Sequence, residues 1–320
     1  MKLDKDDFTL LNYLHSSHRE PLTKIAKATN LTRSQVEYKL EGYIKTGLIR
    51  KFLTMFNYSA LGYDCYVTLF IKFEKFIFKE GFVKKLKENP KIISWGECFG
   101  KYDIYLNLIF KDETELSEYI TELVSDEKNL VLDYLLSKPN LAESYTLKIF
   151  GRKEIKTIQS NFKNQNKIIL ESYEIEIIKL LEKNNKLKIV DIANKLKISS
   201  ELVIYYLKRI DEKKVITGTK AVFDVGKMGY QYSVILIHVK NLSKETKEKI
   251  INFSKKHKLI DFMSYSIMKP NFIIQVYHKD IEELKRTITE IKELLNEQIF
   301  EIDIILMNLE EEINTLPFLK

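Results

Sequence analysis

The sequence predicts an α+β chain that contains two tandem copies of one unit. The first observation is an internal repeat: an offset of 167 aligns residues 3–72 with 170–239 without a gap, with thirteen identical pairs. The second is that each copy begins with apolar residues at the spacing of three short helices, and the third is that alternating, strand-like patterns follow. Each copy should therefore hold a helical domain and then a mixed domain.

The repeat continues with a small change of spacing. Lys111-Asp112 aligns with Lys279-Asp280 at an offset of 168, which implies one extra residue in the second copy. Residues 138–166 belong to neither copy, and because their second half is polar and basic we interpret them as a connector.

The first 58 residues predict three helices and a strand. Asp4 is placed to cap a first helix together with Asp7, and Thr32 is a good N-cap for the third. Gly47 can end that helix in the left-handed conformation, and residues 48–56 form a strand at the position of a wing. This spacing predicts a winged helix-turn-helix, whose third helix enters the major groove of DNA.

The outward residues of the two third helices, with the wing, are the candidate DNA contacts. Arg and Gln can bond base edges, while Ser, Lys and a helix N-terminus suit phosphates. The alternative is an ordinary solvated helix face. The candidates are Thr32, Arg33, Ser34, Gln35, Glu37, Tyr38, Lys39, Arg50 and Lys51 in the first copy, and Ser199, Ser200, Tyr205, Tyr206 and Lys208 in the second.

The second recognition helix offers a poorer surface for DNA. Its outward positions include Glu201, Leu202 and Ile204, which do not attract phosphates. We expect the second motif to bind DNA weakly or to serve mainly as a scaffold.

The net charge of +7 is unevenly distributed along the chain. Residues 1–58 carry 10 basic and 6 acidic side chains, residues 148–168 carry 6 and 1, and residues 169–225 carry 11 and 9. Residues 59–147 carry 11 and 15, and residues 226–320 carry 14 and 14. A basic excess confined to the helical segments and the connector indicates a polyanionic partner for those parts.

The remainder of each copy predicts the order βαββαβ, the ferredoxin-like arrangement with both helices on one face of the sheet. The opposite face is also apolar in the first copy, where Tyr66, Phe70, Tyr105 and Ile109 point to it. Such a face requires a partner sheet. We expect the second copy to supply it, within one chain or between chains, through Ile235, Ile237, Phe272, Ile274 and Val276.

These patterns divide the chain into six predicted segments. Residues 1–58 and 167–225 are the winged helix-turn-helix domains, and 59–137 and 226–309 are the ferredoxin-like domains. The connector is 138–166 and the tail is 310–320. The charged start and the lack of eighteen consecutive apolar residues predict a cytoplasmic protein. Cys65 and Cys98 have no metal-site spacing, so we expect buried thiols, no metal and no cofactor.

Several short motifs of the first copy resemble the Lrp/AsnC family of feast/famine transcription regulators. They are Ile25-Ala26, the run from Leu31 to Val36, Gly47-Leu48-Ile49, Leu61-Gly62-Tyr63 and the run from Gly100 to Asp103. The resemblance implies assembly as dimers or octamers through ligand-sensing domains, binding to promoter DNA, and an amino acid or similar metabolite as effector. Two fused copies resemble a built-in pseudo-dimer.

The same resemblance implies an effector site at Gly100, Tyr102 and Asp103 of the first copy. In the second copy Met268 and Asn271 replace the glycine and the aspartate, so a ligand pocket is expected in the first copy only. A simple turn between strands is the alternative explanation for Gly100.

Two other functions fit the same fold. The siroheme decarboxylases resemble it, but their active site relies on histidine in the region equivalent to 94–103, which contains none here. We therefore expect a regulator and no enzyme. A protein-interaction scaffold is the third reading, favoured locally by the apolar outward residues of the second recognition helix.

Overall fold

The computed structural model describes residues 3–75, 80–125, 131–151, 157–161, 168–184, 187–308 and 312–319. The chain forms two compact units. The helical unit comprises 2–63, 164–224 and 314–320, and the sheet unit comprises 64–163 and 225–313. Most basic residues of the predicted connector, in 152–156 and 162–167, lie outside the described residues. Among the described helices, none has the length and apolar character needed to cross a membrane.

Ten helices and thirteen strands are found in the described residues. The helices are α1 (Lys5–Ser17), α2 (Leu22–Thr29), α3 (Arg33–Lys45), α4 (Glu80–Glu88), α5 (Glu113–Ser125), α6 (Ser172–Lys183), α7 (Ile189–Leu196), α8 (Ser200–Glu212), α9 (Lys244–Lys256) and α10 (Ile281–Leu295). The strands are β1 (Ile49–Phe56), β2 (Cys65–Phe73), β3 (Ile92–Phe99), β4 (Ile104–Phe110), β5 (Val131–Ser137), β6 (Leu141–Tyr145), β7 (Thr157–Asn161), β8 (Ile216–Phe223), β9 (Gln231–Val239), β10 (Ile260–Tyr265), β11 (Phe272–His278), β12 (Ile299–Met307) and β13 (Glu312–Ile313).

The predicted helix ends of the first copy are confirmed. Asp4 and Asp7 form a capping box at the start of α1, and Thr32 caps α3. The turn before α3 uses Asn30 in the left-handed conformation, and Lys197 has the same conformation at the repeat-equivalent position. The two copies therefore share their turn geometry as well as their helix order.

The strand expected to form a wing pairs with its own repeat. β1 runs antiparallel to β8, with Thr54 opposite Thr219, in a two-stranded sheet. In the described residues neither copy forms a separate wing hairpin, and the β1–β8 pairing stands in that place. The strand after each recognition helix therefore joins the two helix-turn-helix motifs.

The two motifs also share an apolar core. The Thr54 hydroxyl donates to the Leu181 carbonyl at 3.1 Å in a buried contact, and Phe56 packs in the cluster that contains Ile177 and Val203. Leu316, near the chain end, packs in the same cluster, so the segment predicted as a tail contributes to this core. The helical unit is built from both copies together.

The sheet unit contains two ferredoxin-like sheets. The first has the strand order β5-β2-β4-β3 and the second β12-β9-β11-β10, which is the same order in each copy. A short pairing of β12 with β3, at Leu306–Phe99 and Met307–Cys98, joins them edge to edge. From the connector, β6 and β7 extend the second sheet beyond β10.

The apolar faces opposite the helices contact each other within the chain, as expected. Phe70 and Tyr105 of the first copy belong to the cluster of buried side chains that forms this contact. The predicted partners in the second copy are wrong, because those side chains lie in the core beneath α9 and α10. The wrongly placed residues are Ile235, Ile237, Phe272, Ile274 and Val276. The actual partners are Val234, Leu236, Ile273 and Ile305.

A one-residue difference in the repeat explains this error on β9. The β2–β4 register pairs Ile71 with Ile104, and the β9–β11 register pairs Ile237 with Phe272. The equivalent of Ile71 is therefore Ile237, at an offset of 166 instead of 167. Because side chains alternate across a strand, a slip of one residue exchanges the two faces.

Lys148 is a buried cation of the sheet unit that should make stability depend on pH. Its ammonium donates to the carbonyls of Ser254, at 2.7 Å, and Lys255, at 3.1 Å, near the C-terminus of α9. Burial lowers the pKa of Lys148 to about 8, against a smaller raising effect of Asp261.

Between pH 8 and 10 the unfolded chain therefore binds more protons at Lys148 than the folded chain, so the wild type gains stability as pH rises. Relative to Lys148→Met, the free energy of unfolding of the wild type should rise by up to about 1.4 kcal/mol per pH unit. Urea titrations of both proteins at pH 7, 9 and 10 measure this difference, and a difference that stays constant with pH contradicts it.

Candidate nucleic-acid interface

The N-terminal half of α3 carries most of the predicted contact residues, and several of them are exposed. Val36 and Tyr43 are buried and fix the helix in the core, while Arg33, Ser34 and Glu37 are exposed. Tyr38 is 80% exposed, an unusual state for a large aromatic side chain. In the described part of the chain, the Arg33 and Tyr38 side chains make no hydrogen bond or ion pair. They can therefore reach a ligand without breaking an internal contact.

Gln35 is exposed but already engaged in the capping box of α3. Its side-chain oxygen accepts from the Thr32 backbone N–H at 2.8 Å, and the Thr32 hydroxyl accepts from the Gln35 N–H at 3.2 Å. A bidentate contact to adenine needs both ends of the amide. Thr32 and Gln35 thus serve the helix start, and base reading by Gln35 would require it to leave the cap.

Lys39 joins α3 to α1, which the sequence pattern did not predict. Its ammonium lies 2.6 Å from the Asp7 carboxylate and 3.4 Å from Asp4, and the Tyr43 hydroxyl donates to Asp7 at 2.6 Å. Burial acts to raise the pKa of Asp7, but hydrogen bonds from Lys39 and Tyr43 outweigh it and the pKa is lowered. Lys39 is a structural cation in this arrangement, whereas it was expected to contact phosphates.

The second recognition helix keeps fewer exposed polar groups than predicted. Tyr206, at the Lys39 position, is 9% exposed and packs in the core of the helical unit, and Leu202 packs partly against the same core. The expectation that both point outward is corrected, because an aromatic side chain at that position fills the space between α6 and α8. Tyr205 and Lys208 remain exposed, and Ser199 caps the helix.

Glu174 replaces Asp7 in the second copy and is fully buried. Its carboxylate lies 2.6 Å from the Lys213 ammonium and 3.4 Å from the Arg209 guanidinium. Burial acts to raise the pKa of Glu174, but hydrogen bonds from Lys213 and the Glu171 N–H outweigh it and the pKa is lowered. Arg209 also donates to the Tyr205 hydroxyl at 3.1 Å, so this ion pair orients an exposed residue of α8.

The two basic residues predicted on the wing lie in β1. Arg50 is exposed, and the Lys51 ammonium lies 3.7 Å from the Glu182 carboxylate of α6. Because β1 pairs with β8, their positions depend on both copies.

The predicted effector residues lie on the turn from β3 to β4. Gly100 has φ +111° and open space around the position of a Cβ, so the turn requires glycine. Tyr102 is buried between the two sheets. Asp103 accepts from the Lys72 ammonium at 2.7 Å and from the Phe73 N–H at 2.8 Å. In the second copy Asn271 accepts from the Val239 N–H at 3.0 Å in the same way. The residue at this position therefore connects two strands in both copies.

Curated relatives from Pyrococcus furiosus match about one copy of the repeat. The uncharacterized HTH-type transcriptional regulator PF2053 is 30% identical over 128 residues, which are 39% of this chain and 84% of the relative. The chain belongs to the Lrp/AsnC family of HTH-type transcriptional regulators. A second relative of this Lrp/AsnC chain, the HTH-type transcriptional regulator FL11, is 29% identical over 125 residues, covering 39% of the chain and 82% of the relative. No protein-family model matches the sequence.

A solved structure matches the whole Lrp/AsnC chain. The siroheme decarboxylase NirDL superposes with a TM-score of 0.62 at 15% identity and covers 99% of this chain and 96% of its own. At this identity the likeness concerns the fold alone. The duplicated arrangement of this chain is therefore shared with a protein of known structure.

Proposed function

We propose that this chain is a sequence-specific DNA-binding transcription regulator in which α3 reads the major groove. The observation that carries the proposal is the pair of exposed side chains Arg33 and Tyr38, which have no internal partner among the described residues. An Arg at this position can donate two hydrogen bonds to a guanine edge. Ser34 and the N-terminus of α3 are placed for a phosphate.

In this proposal the second copy contributes less to base reading than the first. Tyr205 and Lys208 are its exposed polar candidates on α8, while Tyr206 belongs to the core. Selection of bound duplexes from a random DNA pool tests how base reading is divided between the two copies. A single half-site is expected if α3 alone reads bases, whereas a palindromic consensus with half-sites about 34 Å apart requires both helices.

Salt dependence separates this function from a protein-interaction scaffold. Binding through phosphates releases counterions, so the affinity for duplex DNA should fall by about a hundredfold or more when salt rises from 50 to 200 mM. Fluorescence anisotropy with the selected duplex measures this slope. Lack of measurable affinity for any duplex at 50 mM salt contradicts the proposal.

We further propose that an amino acid or related metabolite acts through the first ferredoxin-like domain near Gly100. The open space at Gly100 and its replacement by Met268 in the second copy support one site per chain. Repeating the duplex selection with a mixture of amino acids tests this point. Gly100→Met, which fills this space and also strains the turn at φ +111°, should abolish any effector response. Effector-free DNA binding, which the proposal assigns to the helical unit, should persist.

A siroheme-decarboxylase activity is the second candidate, favoured by the full-length likeness to NirDL. The segment 94–103 contains no histidine, which argues against it. Incubating the purified chain with siroheme under anaerobic conditions and analysing the product by mass spectrometry distinguishes the two functions. Loss of carboxyl groups as CO₂ supports the enzyme, and unchanged siroheme supports the regulator.

A further inference from the structure

We propose that His238, Glu301 and Asp303 form a binding site for a divalent transition-metal ion such as Zn²⁺. One imidazole nitrogen and two carboxylate oxygens, one from each residue, lie within 4.8 Å of one another in the sheet unit. Imidazole and carboxylate are the ligands that zinc takes besides cysteine, and three protein ligands leave one position open.

Strand geometry brings the three side chains to one face. The β9–β12 register places Glu301 opposite His238, and Asp303 opposite Leu236. Alternate residues of a strand share a face, so all three point to the side on which Leu236 and Ile305 pack against the first copy. The site therefore lies at the polar end of the apolar contact between the two copies.

His238 supplies the second observation that points to a ligand. The residue is 8% exposed, and its Nε2 atom is buried with no hydrogen-bond partner in the described part of the chain. That nitrogen lies 3.6 Å from the Asp303 carboxylate, close to the roughly 3.4 Å that separates two ligands of a tetrahedral zinc ion. A buried polar atom without a partner costs free energy, which a metal bond would recover.

The equivalent place in the first copy lacks the ligand set. There the β2–β5 register pairs Lys72 with Asp133 and Phe70 with Leu135. Lys72 occupies the position equivalent to His238, and Leu135 the position equivalent to Asp303. Asp133 is therefore the single carboxylate that remains. The difference between the copies places the metal chemistry in the second copy alone.

Lys101 of the first copy competes for the same carboxylate. Its ammonium lies 3.0 Å from Asp303, and the hydrogen bond to Asp303 raises the pKa of Lys101. Metal binding would displace the Lys101 ammonium from Asp303. The ion pair between the copies would then be replaced by metal coordination within the second copy. Removing the lysine charge should therefore strengthen metal binding.

Competition of the full chain with a chromogenic chelator for Zn²⁺ at pH 7.5 tests the site. We expect one ion per chain in the wild type. His238→Ala and Glu301→Gln should each lower the affinity at least about tenfold, and Lys101→Ala should raise it severalfold. Glu301 is exposed, so its substitution leaves the core intact.

His257→Ala is the matched control, because His257 also lies beside a carboxylate, that of Glu290 at 3.3 Å, but has no third ligand among the described residues. Its zinc affinity should equal that of the wild type. Absence of micromolar binding by the wild type, unchanged binding by His238→Ala, or an equal loss in His257→Ala overturns the proposal. Unchanged or weaker binding by Lys101→Ala contradicts the placement of the ion at Asp303.

Discussion

Arg33→Ala is expected to weaken binding to the selected duplex by about 1–3 kcal/mol, which corresponds to roughly 5- to 150-fold in affinity. The loss arises because Arg33 is the exposed guanidinium at the N-terminal end of α3, where a recognition helix meets base edges. Discrimination should relax at one base pair and remain at the others. Anisotropy titrations with the selected duplex and with single-base variants measure both effects.

The control for Arg33→Ala removes one positive charge elsewhere. Lys249 lies on α9 in the sheet unit, paired with Glu245 at 2.8 Å on the surface. Lys249→Ala should leave the affinity for DNA nearly unchanged, and neither substitution should alter the melting temperature. Equal losses in both variants would mean that net charge, and not base reading, controls the binding.

Glu174→Ala should markedly lower the stability of the helical unit. The substitution removes a fully buried carboxylate and leaves the Lys213 ammonium without its carboxylate partner, while Arg209 keeps its ion pair with Glu171 at 2.6 Å. Breaking a buried ion pair costs about 3–5 kcal/mol, but these two cations are 21% and 28% exposed and can be partly rehydrated. We expect the free energy of unfolding to fall by about 2–3 kcal/mol, measured by urea titration at pH 7.

The pH dependence of this loss identifies its cause. The pKa of Glu174 is lowered in the folded chain, so its stabilising contribution is present above the unfolded pKa and disappears as pH falls through the folded value. The difference between wild type and Glu174→Ala should therefore shrink below pH 4. Glu176→Ala, which removes a half-exposed pair with Lys179, should cost less than about 1 kcal/mol at every pH.

Local chemistry made the helix ends and the order of elements predictable. The caps at Asp4 and Thr32 depend on residues three positions away, and such short-range signals are readable from a single sequence. The duplicated ferredoxin-like order was likewise predictable from alternation and spacing.

Side-chain pairing between distant elements was not predictable. The sequence pattern places Lys39 and Tyr206 at the same outward position of the repeat. In the structure Lys39 pairs with Asp7, and Tyr206 packs in the core of the helical unit. The face of β9 was mistaken because Val234 and Leu236 match Val67 and Leu69 in the ungapped alignment. Identity of residue type did not reveal that one loop is a residue shorter.

The metal ligands illustrate the same difficulty. His238 and Glu301 are 63 positions apart, and they meet only because β9 and β12 are neighbours in the sheet. No short motif marks such a site, so composition and spacing predicted no metal. Strand order had to be known first.

The pairing of β1 with β8 joins two helix-turn-helix motifs that belong to one covalent chain. In a homodimer one codon determines both copies of a residue, so every substitution is made twice. Here positions 39 and 206 are encoded separately, and each motif can change without altering the other. The pairing of the two motifs is also intramolecular, so dilution does not separate them. Such a chain can hold one motif for recognition and let the other diverge.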